Sequence, residues 1–291
     1  MNTALPRAIT PEEIETFQRD GVVCLRGLFD GDWVEELRRG LARNRSEPGH
    51  RSRIYDRTAD NQTFFYDSDS WQRIAEYERF VRKSPCAEIA ATLMGSSKAN
   101  LFFDAVFLRG TGQQFRTPWH QDEPYWSIRG MQTVSIWMPM VEVEKKSALE
   151  FIPGSHLWTQ NYRQKDFAEL NPDGQQGIAT AKLDGEDWLP LPDFDADPVR
   201  WNVTSWDMAP GDAACFNARL FHGGSGRLAE GRELSVFNTK WLGDDVRCAF
   251  RPYGMDPDHT GKMRAAGMAD GDPIDGRVYP QIWPPMASQA A

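Results

Sequence analysis

The chain has 291 residues, 40% hydrophobic and 26% charged, with a formal net charge of -9 and a pI near 5.2. So acidic a balance excludes the basic field that a general nucleic-acid or anionic-membrane binder needs. No run of about 18 apolar residues marks a membrane span, and no basic segment followed by an apolar one marks a secretory leader. Cys24, Cys86, Cys215 and Cys248 form no C-x-x-C pair, which excludes a paired-thiolate zinc or thioredoxin-type motif and points to reduced thiols in a cytoplasmic protein.

In chain order, Thr10-Pro11-Glu12-Glu13 reads as a helix start, with threonine as N-cap, proline at the first position and Glu13 closing a capping box. That helix stops near Gly21, and the β-branched run 22–28 predicts a strand. Asp30 or Asp32 opens a second helix carrying Val34, Leu37 and Leu41 at helical spacing. Residues 43–61, polar and arginine-rich, read as a solvated loop, and a helix is expected from Ala87 to Met94, ending at Gly95. Arg38, Arg39, Arg43 and Arg45 read as a solvated helix face in preference to a site for coenzyme A phosphates.

From about residue 99 the texture changes. Short apolar runs at 100–109, 133–138, 148–152, 212–216 and 234–241 are separated by turn residues. Such a pattern predicts an antiparallel β-sandwich or barrel, and the lack of alternating helices disfavours a parallel α/β sheet. A single domain is expected, mainly helical over 1–98, with a β core over 99–243 and a tail over 244–291. Tyr279, Ile282 and Trp283 predict that the tail docks on the body. The 155–206 insertion bears Trp158, Tyr162, Trp188, Trp201 and Trp206, and is either a lid or a surface loop anchored by its aromatics.

Two imidazoles and one carboxylate hold non-haem Fe(II) on one face and leave the other open. His120-Gln121-Asp122 and the distant His222 supply that set. On a continuous extended strand His120 and Asp122 face the same side. His222 ends an apolar strand at a glycine turn. His50 and His259 are expected at the surface, and His156 at a tight turn. Ten residues after His222, Arg232 shares its strand parity with Leu234 and Val236, the apolar face. An arginine buried there needs an anion, either a structural carboxylate or a bound dicarboxylate. The same parity groups Thr133, Ser135 and Trp137, with Thr133 a candidate hydrogen-bond donor to that dicarboxylate and Trp137 a candidate wall of its site. Tyr125, Trp126, Phe107 and Arg109 are the candidate substrate contacts, and the aromatics hint at an apolar, aromatic or cationic ligand.

Residues 117–122, 147–156, 210–226 and Arg232, with the opening 17–23, resemble the phytanoyl-CoA dioxygenase family of Fe(II)/2-oxoglutarate oxygenases over roughly residues 10–245. The resemblance implies a mainly β fold, a double-stranded β-helix or jelly roll with helices outside. It implies iron on His120, Asp122 and His222, the distal carboxylate of 2-oxoglutarate on Arg232, and Trp137 beside the co-substrate. Where some relatives have serine two residues after the arginine, this chain has Leu234, so Thr133 is expected to supply the second polar contact. Related halogenases replace the carboxylate ligand with a small residue; Asp122 therefore points to hydroxylation, with desaturation, epoxidation and ring formation as the open alternatives. The expected reaction consumes O2 and 2-oxoglutarate, releases succinate and CO2, and hydroxylates an unactivated C–H bond of a small-molecule metabolite. The rival readings are a jelly-roll metal enzyme without 2-oxoglutarate, either a cupin-type dioxygenase or a hydrolase, and a non-catalytic jelly-roll binding protein. Nothing in the sequence indicates an oligomer.

Overall fold

The computed structural model describes residues 1–57, 63–110, 116–163, 188–224, 228, 231–252 and 255–285. Helix α1 (Pro11–Asp20) begins on the expected capping box. Thr10 accepts from the Glu13 N–H, Glu13 accepts from the Thr10 N–H, and Gly21 ends the helix at φ 75°. Strand β1 (Val22–Leu25) leads to α2 (Gly31–Ser46), N-capped by the Asp30 side chain. Buried Trp33, Val34, Leu37 and Leu41 form the inward stripe of α2. On its outer side Arg38 pairs with Glu35, Arg39 with Glu36 and Arg43 with Glu76.

The expected loop over 43–61 is corrected. The helix runs on to Ser46, and β2 (Arg53–Arg57) forms a hairpin with β3 (Thr63–Ser68), its turn lying outside the described residues. Polarity misled here because β2 is an edge strand, where charged residues blunt an open ladder. Helices α3 (Ala75–Lys83), which carries no side-chain N-cap signal, and α4 (Cys86–Met94) follow.

The remaining strands are β4 (Ala99–Arg109), β5 (Thr117–His120), β6 (Ile128–Arg129), β7 (Thr133–Pro139), β8 (Leu149–Phe151), β9 (Tyr162–Arg163) and β10 (Leu189–Pro190). After them come β11 (Ala213–Phe216), β12 (His222–Gly224), β13 (Leu234–Leu242) and β14 (Arg247–Cys248), then α5 (Thr260–Ala265) and β15 (Gln281–Trp283). The larger sheet has the order β1-β11-β7-β13-β4-β3-β2, with β15 also on β4, and the smaller one β5-β12-β8. All their pairings are antiparallel. The two sheets form the expected jelly roll.

Alternation on the larger sheet decides what each face does. Leu101, Val106, Leu108 and Phe237 join the helices in the main core. Phe103, Phe107, Arg109, Leu234, Val236, Asn238 and Lys240 line a cavity. Hydrophobic burial on the helical side holds the sheet and frees the other face for polar residues. Cys248, Met263, Ile274 and Tyr279 pack with Phe102, Phe103 and Trp126. His259, expected at the surface, is buried instead, with its Nδ1 3.0 Å from the Tyr279 hydroxyl and its Nε2 3.2 Å from Asp69. Of the 155–206 insertion, residues 164–187 lie outside the described residues. Trp158, Tyr162 and Trp201 pack with Trp119, Phe194 and Phe221. These three aromatics do not line the cavity.

Candidate metal centre

The ligand candidates meet where the smaller sheet ends. His120 is the last residue of β5 and His222 the first of β12, and the register pairs them directly. Their ring centroids lie 4.2 Å apart. Asp122 completes the group, with Oδ1 3.6 Å from His120 Nε2 and 3.8 Å from His222 Nε2. One ligand atom from each residue falls within 4.8 Å of the others.

Asp122 does not reach this point along a strand, as the H-x-D spacing suggested. It has helical backbone angles (φ -73°, ψ -46°) and starts the short turn Glu123–Tyr125. The chain therefore leaves the sheet immediately after His120. Asp122 swings in from the turn, and its Oδ2 lies 3.4 Å from the Ser135 hydroxyl.

The donor set fits a divalent metal, and the second ring nitrogens show why. His120 Nδ1 lies 2.8 Å from the Pro118 carbonyl, and His222 Nδ1 lies 3.0 Å from the Leu220 carbonyl. A carbonyl only accepts, so each Nδ1 carries a proton and each Nε2 is the ring nitrogen that faces Asp122. Burial, then the neighbouring His120, lowers the His222 pKa to about 4 against the pull of Asp122, so His222 is neutral near pH 7. Burial alone would raise the Asp122 pKa, but His222 and His120 outweigh it and hold the carboxyl below its ordinary value. A neutral imidazole on His222 and an ionised Asp122 are protonation states that suit a metal.

An ion triad around the buried Glu123 fixes the turn. Glu123 lies 3.1 Å from Arg219 Nη1 and 2.5 Å from Arg251 Nη2. Arg219 also donates to the carbonyls of His156 and Trp158, and Gln121 donates to the Arg219 carbonyl. The residues flanking Asp122 are thus tied to the segment preceding His222. Sequence reasoning passed over Glu123 because its partners lie about a hundred residues away.

Of the other candidates, Phe107, Arg109, Tyr125, Trp126 and Trp137 line the cavity in front of the cluster. Arg109 Nη2 donates to Thr117 Oγ1 at 2.6 Å, and its guanidinium carbon lies 4.7 Å from the centre of the Phe64 ring. Burial lowers its pKa to about 10, which leaves it charged at neutral pH. Two expectations are corrected. Arg232 is exposed, precedes β13, and lines a neighbouring cavity with Arg26, Glu142 and Asp212. The alternation that predicted its burial applies only from Leu234, where the strand begins. Thr133 is buried but does not line the cavity, and its hydroxyl accepts the Ala218 N–H at 3.2 Å. It lies on β7 beyond Ser135, where it holds the turn before His222. Sequence reasoning also missed Asn238 and Lys240, although the parity that singled out Leu234 and Val236 extends to them.

A jelly roll with two histidines and one carboxylate between its sheets defines a non-haem metal enzyme of the iron oxygenase type. The family model for phytanoyl-CoA dioxygenase (PhyH) matches residues 17–232, and the chain belongs to that family of iron- and 2-oxoglutarate-dependent oxygenases. Solved structures of the same fold include the non-heme alpha ketoglutarate dependent carbocyclase SnoK from nogalamycin biosynthesis. It has 17% identity and a TM-score of 0.71, over 97% of this chain and 99% of that one. EctD from S. alaskensis with 2-oxoglutarate and 5-hydroxyectoine has 17% identity and a TM-score of 0.63, over 96% and 92%. The epimerase SnoN in complex with Fe3+, alpha ketoglutarate and nogalamycin RO has 18% identity and a TM-score of 0.62, over 93% and 97%. No curated protein matches in sequence. Among the described residues no helix is long and apolar enough to cross a membrane.

Proposed function

We propose that this oxygenase hydroxylates an unactivated C–H bond of a small-molecule metabolite. His120, Asp122 and His222 would hold Fe(II), which with 2-oxoglutarate and O2 supplies the oxidising power, releasing succinate and CO2. The observation that carries the reading is the pre-oriented pair of Nε2 atoms facing Asp122 at the head of an aromatic-walled cavity. Asp122 itself supports hydroxylation, because a carboxylate occupies the coordination position that a halide would need.

The protein's part is orientation and exclusion of water. Phe107, Trp137, Phe216 and Val236 supply apolar walls around the centre. The distal carboxylate of 2-oxoglutarate needs a cation, and the Leu234 end of the cavity has one buried there. Arg109 is the cross-strand partner of Leu234 and lines the cavity, whereas Arg232 stands outside it. We therefore assign that carboxylate to Arg109, with Arg232 as the rival, and Trp137 as a wall of the same site. The test of the reaction is mass analysis after turnover under labelled dioxygen. A product heavier by one labelled oxygen atom supports hydroxylation. A product lighter by two hydrogens moves the assignment to ring formation or desaturation.

A further inference from the structure

Lys240 is the group that the metal centre and the fold leave unexplained. Its residue is 4% exposed, two residues before the end of the central strand β13. Its Nζ lies 4.7 Å from the centre of the Phe103 ring and 5.9 Å from that of Phe107. It lines the same cavity as the metal cluster. Among the described residues it forms no ion pair and no hydrogen bond. Its cross-strand partners are Phe103 on β4 and Ser135 on β7, the serine beside Asp122. Lys240 therefore stands on the metal side of the cavity. Arg109 pairs with Leu234, six residues back along β13, or about 20 Å of strand. The two buried cations belong to opposite ends of the cavity wall.

An ammonium buried without a counterion is costly, and proteins keep such groups where a ligand supplies the missing charge. We propose that Lys240 is the anion-recognition residue of the substrate site, so that the substrate is a small molecule with an apolar or aromatic body and one anionic group, such as a carboxylate. The proposal rests on the iron and 2-oxoglutarate reading. Asp122 does not serve as the partner, because it lies more than an ion-pair distance away and is a candidate metal ligand. Asp256, also in the cavity wall, is already paired with Arg51 and Arg53. Asp104 accepts the Ser70 and Trp71 N–H groups and lies opposite Thr239, on the other face of the sheet. Among the described residues Lys240 is thus left without an ion-pair partner, which a substrate anion would supply. The same geometry argues against the cationic ligand that the aromatic residues first suggested. The faces of Phe103 and Phe107 are taken by the protein's own ammonium, which repels a second cation. Burial lowers the Lys240 pKa to about 8, with Asp122 and Asp104 acting the other way, so the group is mainly charged at neutral pH.

The test uses three probes with one body: 3-phenylpropanoate, 3-phenylpropanamide and 3-phenylpropylamine. Each is titrated calorimetrically into the full-length protein, anaerobic and saturated with Fe(II) and 2-oxoglutarate. The iron–2-oxoglutarate absorption band is followed in parallel. The acid is expected to bind at least about tenfold more tightly than the amide, the step that one charge-assisted contact supplies, and the amine most weakly. Lys240→Met removes the preference for the acid, and Lys240→Arg retains most of it. Retention of 2-oxoglutarate binding within a few-fold certifies that both variants are folded. No preference for the acid, or one that survives in Lys240→Met, overturns the proposal; so does binding by none of the three. Loss of the absorption band on adding the acid, or an equal loss of 2-oxoglutarate affinity in Lys240→Met, overturns it in favour of a co-substrate role for Lys240. Failure of the wild type to bind 2-oxoglutarate at all instead removes the reading on which the proposal rests.

Discussion

His120 and His222 are direct cross-strand partners, and each commits its Nδ1 to the carbonyl two residues before it. The pairing register of β5 and β12 therefore sets the spacing of the two Nε2 atoms, and two local hydrogen bonds set their tautomers. Replacing either histidine with alanine removes a ligand without touching the helical core. Metal affinity should fall by more than the roughly 10–100-fold typical of losing an outer partner. Far-ultraviolet circular dichroism should be unchanged. Binding of Mn(II), followed by electron paramagnetic resonance, measures the loss.

Arg109 and Arg232 make opposite predictions for the co-substrate. Arg109→Gln takes away a buried guanidinium from the cavity, worth about 1.5–3 kcal/mol if it meets a carboxylate, or roughly 10–100-fold in affinity. Arg232→Ala changes an exposed side chain and should alter the Kd for 2-oxoglutarate by only a few-fold. Calorimetric titration of the Mn(II)-loaded variants decides. The reverse ranking returns the role to Arg232.

Acid should destabilise the metal-free protein in a defined window. His222 has a pKa of about 4 when folded, against the ordinary 6.5, so the unfolded chain takes up a proton that the folded one refuses. Its contribution is complete at neutral pH and is lost as pH falls from about 6.5 to 4, on the order of 3 kcal/mol at most. Burial also lowers His259 and His156, and both add to the same slope. His222→Gln should flatten part of the dependence of Tm on pH in that window, measured by differential scanning calorimetry.

Glu123 carries the structural load beside the metal. Glu123→Gln weakens both pairs, with Arg219 and Arg251. Because the arginines are partly exposed, the loss should be about 2–3 kcal/mol, below that of a fully buried pair. Urea denaturation measures it. Mn(II) affinity should fall as well, because the turn holding Asp122 loosens.

What the sequence revealed, and what it hid, follows from the range of each interaction. The capping box at Thr10 and Glu13, the helix ending at Gly95 and the strands around Phe107, Ile136 and Val236 rest on local patterns, and the structure matches them. The metal set was legible because two ligands lie two residues apart and the third ends an apolar strand at glycines. The H-x-D spacing suggests a strand for Asp122, since spacing alone does not show that β5 stops at His120. Parity suggests a buried Arg232, since it says nothing of where β13 begins. Lys240 and Glu123 depend on cross-strand and triad partners distant in sequence, and their polarity alone suggested solvent.

The most direct measurement is succinate release by protein reconstituted anaerobically with Fe(II) and 2-oxoglutarate and then exposed to oxygen, alongside His120→Ala. Iron-dependent succinate from the wild type, lost in the variant, is the expected result. The contradicting result is a wild type that binds iron but neither binds 2-oxoglutarate nor releases succinate, which would make the cluster a metal site of another chemistry.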